Sequence, residues 1–192
     1  MVKLQMERKD AVAMLAEVFR EHGYAGTTLG IINTRTGIGK GSLYHFFPGG
    51  KEEMAEAVLD DIANWFEKHI FTPLSEAEEP RSAIGAMFDA VEAYFRAGRR
   101  ICLVGLIALD SSRDIFAGAV TGYFARWRAT LATAIGRSGV SDEEALRLAD
   151  EILVGIQGAI VLSRALDNPS VFLETITTLR QRYRAGMPRA LR

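Results

Sequence analysis

The sequence predicts an all-α fold in which three short N-terminal helices precede a bundle of about six longer helices. Apolar residues recur along most of the chain at the i, i+3, i+4, i+7 spacing of one helix face. No segment shows the strict alternation of polar and apolar residues that is typical of a half-buried strand. Stretches that contain glycine or proline divide the periodic segments from one another. The composition, with 48% hydrophobic and 24% charged residues among 192, is that of a globular protein.

The first three predicted helices are short. The apolar stripe of residues 10–22 ends at "HGY", where a glycine stops the helix. The hydroxyls of "GTTL" offer an N-cap for a second helix that ends near Gly37. A third helix spans about 40–46 and is broken by "FPGGK".

The remaining helices are longer, and the segment "FTPLSEAEEP" (71–80) is the predicted linker within this part. Ser141, followed by three acidic residues, has the pattern of an N-cap with a first turn that suits the helix dipole. The six predicted helices lie at about 51–70, 81–98, 101–110, 113–137, 141–166 and 170–184.

Charge is distributed unevenly along the chain, although the net charge is only −1. Residues 1–51 carry seven Lys and Arg against four Asp and Glu, whereas the rest carries sixteen against twenty. A basic N-terminal segment followed by an acidic remainder indicates that the two parts have different functions. We therefore predict two domains, residues 1–50 and residues 51–192.

Cysteine usage and hydropathy indicate a cytoplasmic protein. Cys102 is the single cysteine, so there is no intrachain disulfide framework. The N-terminus is too charged for a secretory signal. The longest apolar-rich run, residues 152–162, is too short to cross a bilayer of about 30 Å, and we expect no membrane contact.

Hydrogen-bond donors and aromatic rings are concentrated in "GIGKGSLYHFF" (37–47). A glycine-centred turn here joins two short helices, which is the layout of a helix-turn-helix, whose second helix enters the major groove of DNA. Backbone N–H groups beside Gly41 can approach phosphates at the start of that helix. A cation such as Lys51 is unfavourable in the first turn of the next helix, and a phosphate partner would explain it. The predicted DNA-binding residues are Thr28, Lys40, Gly41, Ser42, Tyr44, His45 and Lys51.

A purely structural interpretation of the same stretch is a helical hairpin packed by its aromatic residues. The exposed donors would then be ordinary solvated side chains, and Lys51 would have no evident purpose.

The order of these features resembles the TetR family of bacterial regulators. The family pattern reads roughly G-[FY]-x-x-T-[TS], then I-A-x-x-A-G-V-[ST], then [KR]-G-[ST]-L-Y-x-[HY]-F, and it corresponds here to "HGYAGTTLGIINTRTGIGKGSLYHFFPGGKEEM". The resemblance implies that the seven residues above lie at or near DNA. Asn33 and Thr36 depart from it, because the pattern prefers alanine there, and Gly39 replaces the usual Ser/Thr N-cap. The turn "PGGK" is similar to that of the LmrA/YxaF-like subgroup.

Aromatic stripes on successive long helices have two interpretations. They are either plain core or the lining of a cavity between helices, a common ligand site in bundles. The family resemblance places a pocket for a small hydrophobic or aromatic effector in this region. Cys102 is expected to be a small buried apolar residue, and Gln157 to face either the pocket or a subunit interface. The candidate ligand-binding residues are Trp65, Phe66, Phe88, Tyr94, Phe95, Cys102, Tyr123, Trp127 and Gln157.

A homodimer is predicted through the last two helices, 141–166 and 170–184. Gly155, Gly158 and Ala159 would allow another helix to approach closely, and the resemblance implies the same arrangement. A two-fold dimer would place its recognition helices about 34–36 Å apart on a pseudo-palindromic operator.

These patterns favour a ligand-responsive transcriptional regulator, most simply a homodimeric repressor that a small effector releases from its operator. An enzyme is not expected, because the three histidines lie on different helices and no metalloprotease motif, phosphate-binding loop or nucleophile elbow is present. We expect no cofactor or bound metal. The alternative is a helical small-molecule-binding protein or enzyme whose helix-turn-helix no longer binds DNA.

Overall fold

The all-α prediction is confirmed in the structure, a computed structural model that describes residues 7–186. Those residues contain no strand, and no helix among them is long and apolar enough to cross a membrane. A π-helical turn, Glu67–Phe71, follows the fourth helix, and a 3-10 turn, Ser111–Asp114, precedes the eighth. The ten α-helices are α1 Arg8–Gly26, α2 Leu29–Thr36, α3 Lys40–Phe46, α4 Gly50–Phe66, α5 Thr72–Glu76, α6 Pro80–Tyr94, α7 Leu103–Ala108, α8 Ala117–Gly136, α9 Asp142–Ala165 and α10 Ser170–Gly186.

The chain divides into two compact units. The N-terminal unit consists of the described residues up to Asn64 together with Leu103–Val120. The C-terminal unit consists of Trp65–Cys102 together with the described residues from Thr121 onward. The compact units therefore differ from the domains proposed at residue 50, because α7 and the 3-10 turn pack against α1. The predicted division of function at residue 50 stays a prediction.

Helix α1 supplies the core of the N-terminal unit. Leu15 and Phe19 are almost completely buried along one face of α1, as its apolar stripe predicts. The glycine stop is present, since Gly23 has a φ of 67° and interrupts the helical backbone. Beyond this break the Tyr24 ring packs edge-on against Phe116, with centroids 4.9 Å apart, and this contact joins the α7–α8 connection to α1.

In the C-terminal unit, α9 and α10 form the most extensive helix pair. A side chain at Gly155 would place its Cβ 2.8 Å from Leu179 Cδ1, so this glycine allows α10 to lie close to α9. Gly158 has open space where its Cβ would be and plays no such part within the chain. The predicted N-cap is confirmed, because the Ser141 side chain accepts a hydrogen bond from the Glu144 N–H at 3.3 Å.

The predicted linker was wrong in part, since α5 lies within residues 71–80. Leu74 in this short helix is 1% exposed and Phe71 just before it is 3% exposed, so the segment contributes apolar side chains to the core. Pro73 stands in the first turn, where its missing N–H costs nothing. Proline therefore marks a helix start here, not a loop.

Helix α6 ends at Tyr94, four residues before the predicted end, because three consecutive residues then adopt left-handed backbone angles. Arg96, Ala97 and Gly98 have φ values of 49°, 54° and 85°. L-residues rarely adopt this region. The chain also passes close to α10 here, since a Cβ at Gly98 would lie 2.5 Å from Phe172 Cβ. Both the angle and the lack of space require glycine at position 98.

Replacing Gly98 by alanine should destabilise the protein. The left-handed angle and the overlap with Phe172 together cost at least about 2 kcal/mol, which lowers the melting temperature by about 4–8 °C in a chain of this size. Thermal unfolding followed by circular dichroism measures this shift. The matched control is Gly122→Ala in α8, where a Cβ meets nothing within 4 Å and where alanine should stabilise the helix by about 0.5–1 kcal/mol. Equal melting temperatures for the two variants would contradict the prediction.

Candidate functional site

Helix α3 presents its polar residues to solvent and buries its apolar ones. Leu43 is 0% exposed and anchors the helix to the N-terminal unit. Phe47, just after the helix, is also 0% exposed. Five of the predicted DNA-binding residues lie on the exposed side of α3, namely Lys40, Gly41, Ser42, Tyr44 and His45.

The turn before α3 is held by Asn33 and Thr36, two of the three residues that depart from the family pattern. The Asn33 side chain donates through Nδ2 to the Ile38 carbonyl at 3.0 Å. The Thr36 hydroxyl donates to the Ile32 carbonyl at 2.7 Å and accepts from the Ile38 N–H at 3.1 Å. Gly39 makes no side-chain cap, so these bonds, and not an N-cap, fix the entry to α3.

The end of α3 is held by Arg8, a contact that sequence reasoning missed. Arg8 Nε donates to the Phe46 carbonyl at 3.3 Å, and its guanidinium lies 4.8 Å from the centre of the Phe47 ring. Cations commonly satisfy the free carbonyls at a helix C-terminus. The two partners are 38 residues apart, and no local motif in the sequence indicates the pairing.

Thr28 and Lys40 are both exposed, and each has a contact with a residue three or four positions along the chain. The Thr28 hydroxyl caps α2 by accepting a hydrogen bond from the Ile31 N–H at 3.2 Å, as the sequence indicated. The Lys40 ammonium lies 5.9 Å from the centre of the Tyr44 ring. Both side chains are therefore accessible to a partner, and their contact with phosphates stays a prediction.

Lys51 has an intramolecular explanation that differs from the predicted phosphate contact. Its ammonium donates to the carbonyls of Tyr24 and Thr27 at 3.0 and 3.1 Å, and it lies 4.3 Å from the centre of the Tyr24 ring. These carbonyls belong to the end of α1, where a cation is favourable. Lys51 thus joins the start of α4 to the end of α1. Its side chain is half-buried, and a phosphate contact in addition is untested.

Replacing Lys51 by methionine should therefore destabilise the fold even without DNA. Two charge-assisted hydrogen bonds to helix-end carbonyls are lost, and we expect a cost of about 1.5–3 kcal/mol. Urea unfolding followed by circular dichroism measures this cost. Lys40→Met is the matched control, because Lys40 is exposed on α3 and its loss should change stability by less than about 0.5 kcal/mol. If the two variants unfold at the same urea concentration, the anchoring role of Lys51 is wrong.

In the C-terminal unit, most of the candidate ligand-binding residues form one aromatic cluster around Phe66. Phe66 and Trp127 are 0% exposed, and their ring centroids are 5.1 Å apart. Further ring contacts, with centroids 4.4 to 5.8 Å apart, involve Trp65, Tyr94, Tyr123 and, next to Tyr94, Phe95. Each of these rings has a ring neighbour within 6 Å, so the aromatic cluster is closely packed.

Two residues of the cluster, Tyr123 and Trp127, carry buried polar atoms, and Gln157 on α9 carries another. The Tyr123 hydroxyl is buried beside the Cys102 thiol, and burial raises the pKa of Tyr123 well above its ordinary value, so the phenol stays protonated. The buried Trp127 Nε1 and Gln157 Nε2 have no hydrogen-bond acceptor among the residues that the structure describes. A buried donor without a partner costs about 1–3 kcal/mol. The cluster therefore contains one donor, Trp127 Nε1, that a ligand could satisfy, whereas the place of Gln157 in a pocket or a subunit interface stays a prediction.

Phe88 is the one ring of the candidate set that the structure places elsewhere. It is fully buried, but its neighbour is the Arg180 guanidinium, 5.3 Å from the ring centre. It lines a surface groove with residues of α10. Within residues 7–186 no group of three or more His, Cys, Asp and Glu side chains could hold a metal ion.

An apolar surface lies along the predicted dimer helix α9. Val154, Val161 and Leu162 are 71%, 59% and 52% exposed, although they belong to the most apolar stretch of the chain. Exposed apolar residues that recur on one helix indicate a surface that another protein covers.

Comparison with known proteins agrees with this arrangement of elements. The family model described as "Bacterial regulatory proteins, tetR family" matches residues 13–58, and the model "Transcriptional regulator LmrA/YxaF-like, C-terminal domain" matches residues 80–177. The chain is 31% identical to the HTH-type transcriptional regulator YxaF of Bacillus subtilis, over 81% of this chain and 84% of that protein. It is 26% identical to LmrA of the same organism, over 86% and 90% of the two chains.

Solved structures with the same fold include proteins that carry the TetR description. A TetR transcriptional regulator from Chloroflexus aurantiacus superposes with a TM-score of 0.74 at 26% identity, covering 94% of each chain. The regulator CifR, solved with a 26-bp double-strand operator DNA, has a TM-score of 0.72 at 20% identity, covering 92% of this chain and 96% of that one. At that identity the second likeness concerns the fold alone.

Proposed function

Because the chain belongs to the TetR family of bacterial transcriptional regulators, we propose that it is a cytoplasmic homodimeric repressor that a small aromatic effector releases from its operator. The observation that carries the DNA-binding part is the surface of α3. A short helix holds five polar or glycine residues toward solvent while its two ends are fixed by Arg8 and Asn33. Fixed ends are what a groove-reading helix needs, since its side chains must keep one geometry.

In this proposal, phosphate contacts supply most of the affinity, and base contacts near Ser42 and His45 supply the specificity. Thr28, at the start of α2, and Lys40 and Tyr44 of α3 are the phosphate-contacting candidates because all three are exposed. The regulator CifR was solved with operator DNA, which supports double-stranded DNA as the partner here.

The aromatic cluster supports the effector part of the proposal. Trp127 Nε1 is a donor only, and both it and Gln157 Nε2 are buried without an acceptor in the described part of the chain. A flat aromatic effector that carries acceptor oxygens would satisfy such donors and replace ring contacts with its own. The close packing of the cluster means that entry requires the rings to separate. Binding would then favour the state with separated rings, in which the two DNA-binding domains of the dimer no longer match the spacing of the operator half-sites.

The experiment that tests this function is selection of bound sequences from random duplex DNA. A repressor should enrich a pseudo-palindrome with half-sites about one helical turn apart. Repeating the selection with a panel of aromatic ketones and phenols should identify an effector as the compound that abolishes enrichment and changes Trp65 and Trp127 fluorescence. A helical ligand carrier that has lost DNA binding would enrich nothing at low salt.

Lys40→Ala and Tyr44→Ala should each weaken operator binding by about tenfold without unfolding the chain, because each removes a phosphate contact from an exposed position. For Lys40→Ala, the slope of log affinity against log salt should also fall by about 1. Fluorescence anisotropy on the selected duplex measures both effects. The control is Lys68→Ala, an exposed lysine in the π-helical turn of the C-terminal unit, which should leave affinity unchanged. Parent-like affinity in both α3 variants would exclude these contacts.

Val161→Arg should convert the proposed dimer into monomers. The exposed apolar face of α9 includes this residue, and an arginine there would place an unpaired charge in the interface. Sedimentation velocity measures the change in mass. Leu109→Arg is the matched control, since Leu109 is 86% exposed in the N-terminal unit and should not alter the dimer. A dimeric Val161→Arg variant would place the subunit interface away from this face.

A further inference from the structure

A carboxylate in the first turn of α4 holds the turn that follows α3. Glu53 Oε2 accepts a hydrogen bond from the Gly49 N–H at 2.7 Å. Gly49 belongs to the "PGGK" turn (48–51), which connects the end of α3 to α4. An acidic residue in this first turn also suits the helix dipole. The bond therefore attaches the chain that leaves α3 to the start of α4.

The second oxygen of the same carboxylate faces Arg8, the first residue of α1. Glu53 Oε1 lies 3.8 Å from Arg8 Nη2, and the two side chains are 32% and 52% exposed. The Coulomb attraction between groups so exposed is weak. The contribution of the Arg8–Glu53 pair is therefore the direction of its hydrogen bonds, one from Arg8 Nε to the Phe46 carbonyl and one from the Gly49 N–H to Glu53. Together they join the start of α1, the end of α3 and the start of α4.

The bonded end of α3 carries two of the predicted DNA-binding residues. Tyr44 and His45 are exposed and immediately precede Phe46, the last residue of the helix. A helix of seven residues has only about two turns, so a displaced Phe46 carbonyl would move both side chains with it. The bonds at Ile38 hold the opposite end of the helix and leave this end to the Arg8–Glu53 pair.

We propose that the Arg8–Glu53 pair sets the position of Tyr44 and His45, and thereby determines how well the protein distinguishes its operator from other DNA, without contacting DNA itself. This inference rests on the proposed function. Base contacts require one geometry, whereas phosphate attraction depends mainly on charge. Loss of the pair should therefore lower the affinity for the operator and leave the affinity for other duplexes nearly unchanged. Both members of the pair are positioning residues.

Substitutions at Glu53 separate geometry from charge. Glu53→Ala and Glu53→Gln remove the same negative charge, but only glutamine keeps an oxygen that can accept from Gly49. Charge alone predicts that both variants bind DNA more tightly than the parent. We expect Glu53→Ala to bind the selected operator at least about threefold more weakly, and Glu53→Gln to recover most of that loss. Fluorescence anisotropy on the operator and on a duplex of shuffled sequence measures both affinities.

Glu52→Ala is the matched control, because it removes the same charge from an exposed neighbour in the same turn of α4. It should not weaken operator binding. Equal tightening in the two Glu53 variants, or an unchanged ratio of operator affinity to shuffled-duplex affinity in Glu53→Ala, would overturn the positioning role.

Substitutions at Arg8 test whether it contacts DNA. Arg8→Lys keeps the positive charge but loses the Nε donor to the Phe46 carbonyl, and it should weaken operator binding at least about threefold. Arg8→Gln should also weaken binding, with the slope of log affinity against log salt unchanged. A slope that falls by about 1 in Arg8→Gln would indicate a phosphate contact and contradict the proposal, as would parent-like affinity in Arg8→Lys.

Hydrogen exchange without DNA tests the same pair independently of function. In Glu53→Ala, the amides of residues 43–47 should exchange at least about threefold faster than in the parent, because the end of α3 opens more often. Amides of α9 serve as the control for global unfolding and should exchange at the parent rate. Parent-like exchange at residues 43–47 would overturn the role of the pair and leave the proposed function intact. A parent protein that enriches no duplex would refute the proposed function, and this inference with it.

Discussion

A helix of seven residues does not persist in water by itself, so α3 depends on contacts with the surrounding chain at both of its ends and along its buried face. Asn33 and Thr36 bond the chain at Ile38 before α3 begins, and Arg8 bonds the Phe46 carbonyl where it ends. Buried Leu43 supplies the apolar anchor between them. The exposed residues of α3 owe their fixed geometry to these few contacts, and the proposed reading of DNA depends on that geometry.

The C-terminal unit meets a different constraint, because its centre is filled with rings that carry polar atoms. Phe66 contacts the rings of Tyr94, Tyr123 and Trp127 at centroid distances of 4.8–5.1 Å. Such packing favours the closed cluster, whereas the buried Trp127 donor, which has no acceptor among residues 7–186, opposes it. Under the proposed function, a ligand with acceptor oxygens would remove the cost of the unpaired donor and would replace the ring contacts that separation breaks. A purely apolar ligand would restore only the contacts.

The sequence predicts what is local and periodic, and it fails where partners are distant. Apolar spacing, the Gly23 stop and the Ser141 cap all depend on neighbouring residues, and the structure confirms each of them. The aromatic stripes likewise predicted that Phe66 and its neighbours would meet. The Lys51 anchor joins residues 24 and 27 positions apart, and Phe88 faces α10 and not the cluster. These contacts depend on how helices pack, which periodicity does not determine.

Lys51 also lies on the helix that links the unit carrying α3 to the aromatic cluster. It ties the start of α4 to the carbonyls at the end of α1, and the same helix ends at Phe66, which lies in the aromatic cluster. A π-helical turn follows at once, and such turns are frequent at functional sites. Separation of the rings by an effector would therefore act on a helix whose first turn is bonded to the unit that carries α3. Under the proposed mechanism, α4 transmits the effector signal. The shift in population that an effector can cause is limited by the difference between its affinities for the closed aromatic cluster and for the cluster with separated rings.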